Sequence, residues 1–346
     1  MPYLQAPESL GEFLEGEPRY RADQLRDWLY KTPVLRPEAM TNLPGRIRDR
    51  LEGRLWPFAV EMEQSGDKGR TRKWLFRAPD GAAIESVLMG YSRRATLCIS
   101  SQAGCALGCT FCATGQFGFE RNLEAGEIVA QVAFAQAYLR QIGMPGVPDH
   151  LTNVVFMGMG EPLANYVRVR EAIRRMIDFM GLSARALTVS TVGIVPGIRR
   201  LADEPWPVYL AISLHAADDD LRSRLVPINR RYPLQELEAA AAEYLVKKRR
   251  RLSIEWTMID GVNDDSDQAG KLAQIALRLR AHVNLIALNP TPLTEDKAST
   301  STAIRAFAGI LEGLGVNVTI RDTRGRDIDA ACGQLRVTSG KTSLQG

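Results

Sequence analysis

From about residue 95 onward, short apolar runs alternate with segments of helical periodicity, and this alternation constrains the fold more than any other feature of the chain. The expected strands are Ala95–Ser100, Asn153–Met157, Ala186–Ser190, Val208–Ser213, Leu252–Met258, Val283–Leu288 and Val316–Ile320. Helical segments fall between them, at Ala125–Arg140, Val167–Phe179, Gln235–Lys248, Gln268–Leu279 and Ser301–Leu314. Parallel strands joined by right-handed helical crossovers satisfy this order. About six units are visible, short of the eight that close a barrel, so the expected fold class is α/β, a partial (β/α)6 barrel. In such sheets the carboxyl ends of the strands form the active-site rim.

The first 80 residues read differently. RADQLRDWLYK puts Leu25, Trp28 and Leu29 on one helical face, and a second helix is expected over Glu38–Leu51. WLFRAPDGAAIESVLM alternates about an Asp80-Gly81 turn, the pattern of a hairpin. The domain reading is a helical RNA-binding module at 1–80, the barrel with extensions at 81–337, and a flexible tail at 338–346. No apolar run reaches the ~18 residues of a membrane span, and the acidic, Pro-broken start does not read as a signal peptide. A cytoplasmic, monomeric protein with no membrane partner is expected.

Net charge is only +4, but basic residues cluster at Arg46–Arg54, Lys68–Lys73 and Lys247–Arg251. Charge runs are commonly solvated faces; three of them make a phosphate-backbone partner a reading to carry forward.

Five cysteines is an odd number, and three lie in SSQAGCALGCTFCATG, directly after the first expected strand. A secreted disulfide framework calls for an even, dispersed set. A zinc site requires four ligands, and His150, His215 and His282 are all remote in sequence. Three thiolates in one glycine-rich loop suit a 4Fe-4S cube with one iron left open. Cys105, Cys109 and Cys112, with Phe111 before the last cysteine, resemble the radical S-adenosylmethionine (SAM) superfamily. The resemblance implies that the open iron chelates SAM and that its reductive cleavage yields a 5′-deoxyadenosyl radical.

Later strand ends carry matching segments. MGMGEPLANY resembles the superfamily's GEP segment, which assigns Gly160 and Glu161 to the cofactor. STVGIVPGI, AISLHA and LNPTP by the same resemblance assign Ser190, Ser213, Leu214, His215 and Asn289. Taken singly, Ser190 and Asn289 read as caps or turn residues and His215 as a structural histidine.

Cys98 and Cys332 remain. Cys98 alone would pass as a buried small hydrophobe, whereas Cys332 sits in the polar segment RDIDAACGQL. IESVLM, RNLEAGEIVAQV, LVPINRRYPL, IDGVNDD and RGRDIDAACGQL together resemble the RlmN and Cfr methyltransferases of ribosomal RNA adenine, over nearly the whole chain. Departures are small: Trp256 and Ala287 replace common aromatic and proline residues, at positions not expected to touch the chemistry. The resemblance implies two SAM molecules per turnover, the first methylating Cys332 by polar displacement on sulfur. The second, bound at the cluster, activates that methyl group for addition to the adenine carbon. Cys98 then attacks the Cys332 sulfur, forming a transient disulfide and releasing methylated RNA. It further implies that Glu85 takes the proton lost from the adenine, a residue that otherwise reads as a surface strand position.

The substrate so implied is adenine 2503 of 23S rRNA methylated at C2, together with adenine 37 of some tRNAs. An electron donor such as flavodoxin is also implied. Cfr-type C8 methylation needs the same five cysteines, and a non-catalytic iron–sulfur RNA-binding or redox sensor needs only three. The basic clusters would hold RNA while the adenine is splayed out, with the N-terminal module and Lys68–Lys73 as the expected clamp.

Overall fold

The computed structural model describes residues 1–291, 294–322, 324–331 and 333–335. Cys332 and the tail expected at 338–346 lie outside the described residues.

Short helices occupy the N-terminal end: α1 (Leu10–Phe13), α2 (Tyr20–Arg26) and α3 (Gly45–Leu51). Helix α2 runs on as one wide turn over Asp27–Lys31, which buries Leu25 and Leu29 and leaves Trp28 half-buried. The second helix is shorter than expected. Pro44, which has no N–H to donate, stands at its N-cap, and Pro37–Ala39 forms a separate turn.

Strands β1 (Ala59–Gly66), β2 (Thr71–Arg77), β3 (Ala83–Tyr91) and β4 (Arg94–Cys98) form an antiparallel meander. The Asp80-Gly81 hairpin thus joins β2 to β3, with Gly81 in the left-handed region at φ 94°. Residues 59–77, counted with the helical module in the sequence, belong instead to the main sheet. Their apolar side chains, Trp74 and Phe76 among them, pack edge-to-face against Phe134 of the first barrel helix, so burial places them there.

After β4, a small hairpin of β5 (Gln102–Gly104) and β6 (Phe119–Asn122) encloses the one-turn helix α4 (Ala113–Gln116). The barrel then proceeds through α5 (Ala125–Gln141), β7 (Asn153–Phe156), α6 (Tyr166–Asp178), β8 (Leu187–Thr191), α7 (Val195–Asp203) and β9 (Tyr209–Ser213). It ends with α8 (Asp219–Leu225), α9 (Leu234–Lys248), β10 (Leu252–Met258), α10 (Ser266–Arg278), β11 (His282–Ala287), α11 (Ser301–Gly313) and β12 (Val318–Ile320). The strand order β1-β2-β3-β4-β7-β8-β9-β10-β11-β12 is one open sheet of ten strands, parallel from β4 to β12. The expected partial barrel is present as its parallel part.

Helices cover the outer face. Gln131 of α5 accepts from Ser86 Oγ at 2.7 Å and bonds both backbone groups of Ser100, so β3 and the turn leaving β4 are hydrogen-bonded to the helix layer. The concave face stays open toward the C-terminal segment. That segment leaves β12 and returns to the far sheet edge: Gly325 N–H donates to Asp67 Oδ2 (3.0 Å), Asp67 N–H to Asp327 Oδ2 (3.2 Å), and Lys73 Nζ to the Asp329 carbonyl (3.2 Å). These contacts, across some 260 residues, span the gap that six units leave unclosed.

Candidate active site

Two cavities occupy the concave face. The first opens at the carboxyl ends of the strands and is lined by Cys105, Cys109 and Cys112, with Gly160, Glu161, Ser190, Ser213, His215 and Asn289 also in its wall. Six of the seven residues assigned to the cofactor therefore converge on the cysteine loop. Leu214 does not line the cavity: it is 2% exposed and packed in the hydrophobic core. Ala287, expected to be remote, lines this cavity, whereas Trp256 is buried in the core.

The cysteine loop is closed at its base where Cys105 N–H donates to the Gly118 carbonyl (2.8 Å). Gly104 permits this closure, because at φ 74° a Cβ would stand 2.1 Å from that same oxygen. Cys109 and Phe111 turn inward and pack on Leu221, Leu225 and Val226. Burial raises the Cys105 thiol to about 11 and pushes Cys109 up as well, with each nearby sulfur adding repulsion. Thiolates in such a place need positive charge beside them, which iron supplies. Among the described residues no three His, Cys, Asp or Glu side chains converge as a single ion requires. A cube distributes its thiolates over separate irons, so the donor set fits a 4Fe-4S cluster.

Glu161 is the most constrained acid of the cavity. Its Oε1 accepts from Leu163 N–H (2.9 Å) and its Oε2 from Val192 N–H (3.0 Å), while its own N–H donates to Gln102 Oε1 (2.8 Å). Gly160 brings the strand end this close; a Cβ there would lie 2.4 Å from Gln102 Cβ. Burial raises Glu161 to about 7 despite the two amides. Ammonium capture needs the anion, which is lost as pH falls through that value. SAM affinity is therefore expected to weaken about tenfold per unit below pH 7, measured by equilibrium dialysis. Glu161→Gln should give a flat profile; a flat profile in the unaltered protein would show that Glu161 does not bind the ammonium.

His215 adopts φ 63°, and its Nδ1 accepts from Thr257 N–H (3.0 Å), so the neutral ring carries its proton on Nε2. Burial, with Arg222 nearby, lowers it to about 3. Its ring sits 4.5 Å from that of Phe111, linking the cysteine loop to β9. Ser190 and Ser213 hydroxyls lie 3.3 Å apart.

Arg222 was not legible as a site residue within the charged run DDDLRSRLVPINRR. It is fully buried and donates to the carbonyls of Val192 (2.6 Å) and Leu214 (3.1 Å) and to Asn229 Oδ1 (2.7 Å). Val192 in turn holds Glu161, so Arg222 locks the β8 and β9 ends around the cavity. Burial lowers it to about 10, with Cys109 opposing that shift. Arg222→Met strands these acceptors and is expected to cost about 3 kcal/mol in urea unfolding. A change under about 1 kcal/mol would mean that the loops hold themselves.

The second cavity, about 760 Å³, fills the rest of the concave face. Cys98 lines it together with Val87 and Met89 of β3 and with Ala330 and Ala331. Glu85 shares that strand face by the period-2 alternation of β3, is buried, and pairs with Lys73 at 3.2 Å. Both cavities share Met157, Glu255, Ile286 and Leu335 as walls. Gly333 lines the first cavity and its carbonyl accepts from Ala113 N–H (2.8 Å), just after Cys112; Thr114 Oγ1 donates to the Leu335 carbonyl (2.6 Å). Residues on either side of position 332 thus line different cavities, although Cys332 itself lies outside the described residues.

Some residues of the basic clusters are ion-paired within the fold. Arg46 pairs with Glu17 (2.6 Å), Lys247 with Asp203, and Lys73 with buried Glu85, so Lys73 is not a surface clamp. Positive charge also gathers around the second cavity, which Arg94, Arg185, Arg321 and Arg324 line together with Arg250 of the third basic cluster. The Arg94 and Arg324 guanidiniums flank the Tyr91 ring at 4.3 and 5.0 Å. Among the described residues no helix is long and apolar enough to cross a membrane.

Residues 99–273 match the radical SAM superfamily, and residues 6–55 match the ribosomal RNA large subunit methyltransferase N-terminal domain. The chain is 53% identical to a Frankia casuarinae protein named "Probable dual-specificity RNA methyltransferase RlmN", over 92% of this chain and 78% of that one. A protein of the same name from Salinispora tropica is 50% identical, over 94% and 89%. Among solved structures, a radical SAM methyltransferase from Sphaerobacter thermophilus superposes with a TM-score of 0.90 at 48% identity, covering 96% of this chain and 98% of the other. Streptococcus suis SuiB shares the fold alone, with a TM-score of 0.50 at 12% identity over 66% of this chain and 51% of that one.

Proposed function

The chain belongs to the RlmN family of radical SAM RNA methyltransferases, and from this we propose that it methylates C2 of adenine 2503 in 23S rRNA, and of adenine 37 in some tRNAs, through a methyl group carried on Cys332. The observation that carries this reading is the adjacency of the two cavities. The cysteine triad lines one, Cys98 lines the other, and the residues flanking position 332 reach both.

Cys105, Cys109 and Cys112 would hold the cluster, and Glu161, Ser190, Ser213, His215 and Asn289 would surround SAM. When bound, the pair supplies a hydrogen-abstracting radical. The remaining tasks fall to side chains. Cys332, a nucleophile as thiolate, carries the methyl group as a thioether. Cys98, as thiolate, attacks that sulfur once the adenine is attached: one S–S bond forms as the bond from sulfur to the transferred carbon breaks. The carbon leaves with the electron pair and takes a proton to become the methyl group, and an external thiol reduces the disulfide for the next turnover. Glu85 accepts the proton lost from the adenine carbon. Lys73 contacts both Glu85 and the Asp329 carbonyl, so one ammonium registers this base against the C-terminal segment. Two SAM molecules are consumed per turnover, a flavodoxin-type carrier delivers the electron, and the enzyme works as a cytoplasmic monomer.

The test is anaerobic reconstitution with iron, sulfide and an rRNA fragment, followed by nucleoside mass spectrometry. The expected product is 2-methyladenosine. 8-Methyladenosine as the main product would reassign the chain to Cfr-type regiochemistry, and no methylated nucleoside would leave the non-catalytic sensor.

A further inference from the structure

One buried acid has no task in the chemistry above. Glu255 lies in the middle of β10 and is 6% exposed, yet its side chain lines both cavities. Its Oε1 accepts from Ser253 Oγ (2.9 Å) and from Asn284 Nδ2 (2.8 Å), the latter directly opposite on β11. Among the described residues no donor reaches Oε2. A buried carboxylate oxygen facing a cavity without a donor costs free energy unless a ligand supplies one. Burial shifts Glu255 upward, opposed by Asn284, Arg321 and Ser253.

The surroundings say what kind of ligand that is. The cavity volume, about 760 Å³, lies within the range that takes a small organic ligand. Its arginines suit phosphates that remain outside while a base turns in. Val155, Met157 and Ile286 provide apolar faces beside which a flat ring packs. Within that wall Glu255 is the buried carboxylate, and it faces the side shared with the first cavity. A carboxylate selects N–H donors, and adenine presents such a donor in its exocyclic amine.

Resting on the RNA-adenine reading above, we propose that Glu255, held by Ser253 and Asn284, accepts a hydrogen bond from the 6-amino group of the target adenine and thereby selects an aminopurine for methylation. Glu255 is then a substrate-specificity residue, with Asn284 positioning it. The contact leaves C2 of the ring free.

The experiment compares two otherwise identical RNAs, one with adenine and one with unsubstituted purine at the target, each still bearing hydrogen at C2. Methylation kcat/KM is measured for the unaltered holoenzyme, for Glu255→Gln and for Asn284→Ser. The unaltered enzyme is expected to prefer adenine by about ten- to a hundredfold, the range of a hydrogen bond to a charged group. That preference should collapse to within about threefold in Glu255→Gln and shrink in Asn284→Ser, as a double-mutant cycle requires of a direct contact. A merely structural role would slow both RNAs equally and leave the ratio intact, which overturns the proposal. Loss of SAM affinity with the adenine preference unchanged overturns it as well, assigning Glu255 to the cofactor. Methylation of neither RNA by the unaltered enzyme refutes the functional reading itself. Should Glu255→Gln fail to fold, the ratio in Asn284→Ser decides the matter.

Discussion

Cys98→Ala is expected to accumulate enzyme covalently joined to its RNA, visible as a slow, RNase-sensitive band in denaturing gels. In the proposed sequence the methylene carbon links the Cys332 sulfur to the adenine ring, and only attack on that sulfur frees the product. Cys98 ends β4, is 8% exposed, and shares the second cavity with Ala330 and Ala331. Removing a nucleophile that acts as part of a set typically costs on the order of a thousandfold or more in turnover. The substitution removes one sulfur from a position already close to alanine in size, so the fold should tolerate it at about 1 kcal/mol. Adduct formation should vanish in Cys98→Ala combined with Cys332→Ala. Free protein and normal methylated product from Cys98→Ala would refute the resolving role.

The second large effect is at the cluster. Cys109→Ala should purify without the cluster's iron and visible absorbance, and SAM cleavage should fall to background. Cys109 is buried against Phe111, Leu221 and Leu225, and beyond Cys105 and Cys112 no described cysteine lines the first cavity to take its place. The same burial makes alanine an acceptable packing replacement, and unchanged far-UV circular dichroism would separate loss of the cluster from loss of the fold. Retained iron together with retained cleavage would show that the triad is not the ligand set.

Much of this site could be read from one dimension, since its parts are local. The triad is a spacing within eight residues, and GEP, STVGI, AISLHA and LNPTP each follow a strand whose apolar run marks it. A parallel sheet brings successive strand ends to one rim, so motifs as far apart in the chain as Cys105 and Asn289 group there from strand order alone. The reading failed where burial reverses the usual meaning of a residue. Lys73 lay in a run that reads as solvated charge and Arg222 carried no signal of a site, and both are buried and bonded. Glu255 did leave a signal, a lone acid within LSIEWTM, since an acid in an otherwise apolar strand is costly unless it has a partner or a ligand. Leu214 differs from its neighbours in placement: it is packed in the hydrophobic core, while Ser213 and His215 on either side line the cavity.

By itself, then, the sequence marked a parallel α/β sheet by its periodicity and a loop of three thiolates by its spacing, while the cofactor motifs at strand ends rested on the family resemblance. Only the tertiary structure decided what surrounds that chemistry. It joined β1 and β2 to the barrel sheet, brought the C-terminal segment from β12 back to Asp67 and Lys73, divided the concave face into two adjoining cavities, and assembled an arginine collar from residues spread between 94 and 324. The physical reason is that periodicity reports which face of an element is buried, whereas the partner that buries it is chosen by closing an open barrel. That closure is made by contacts about 260 residues apart, which no local pattern records.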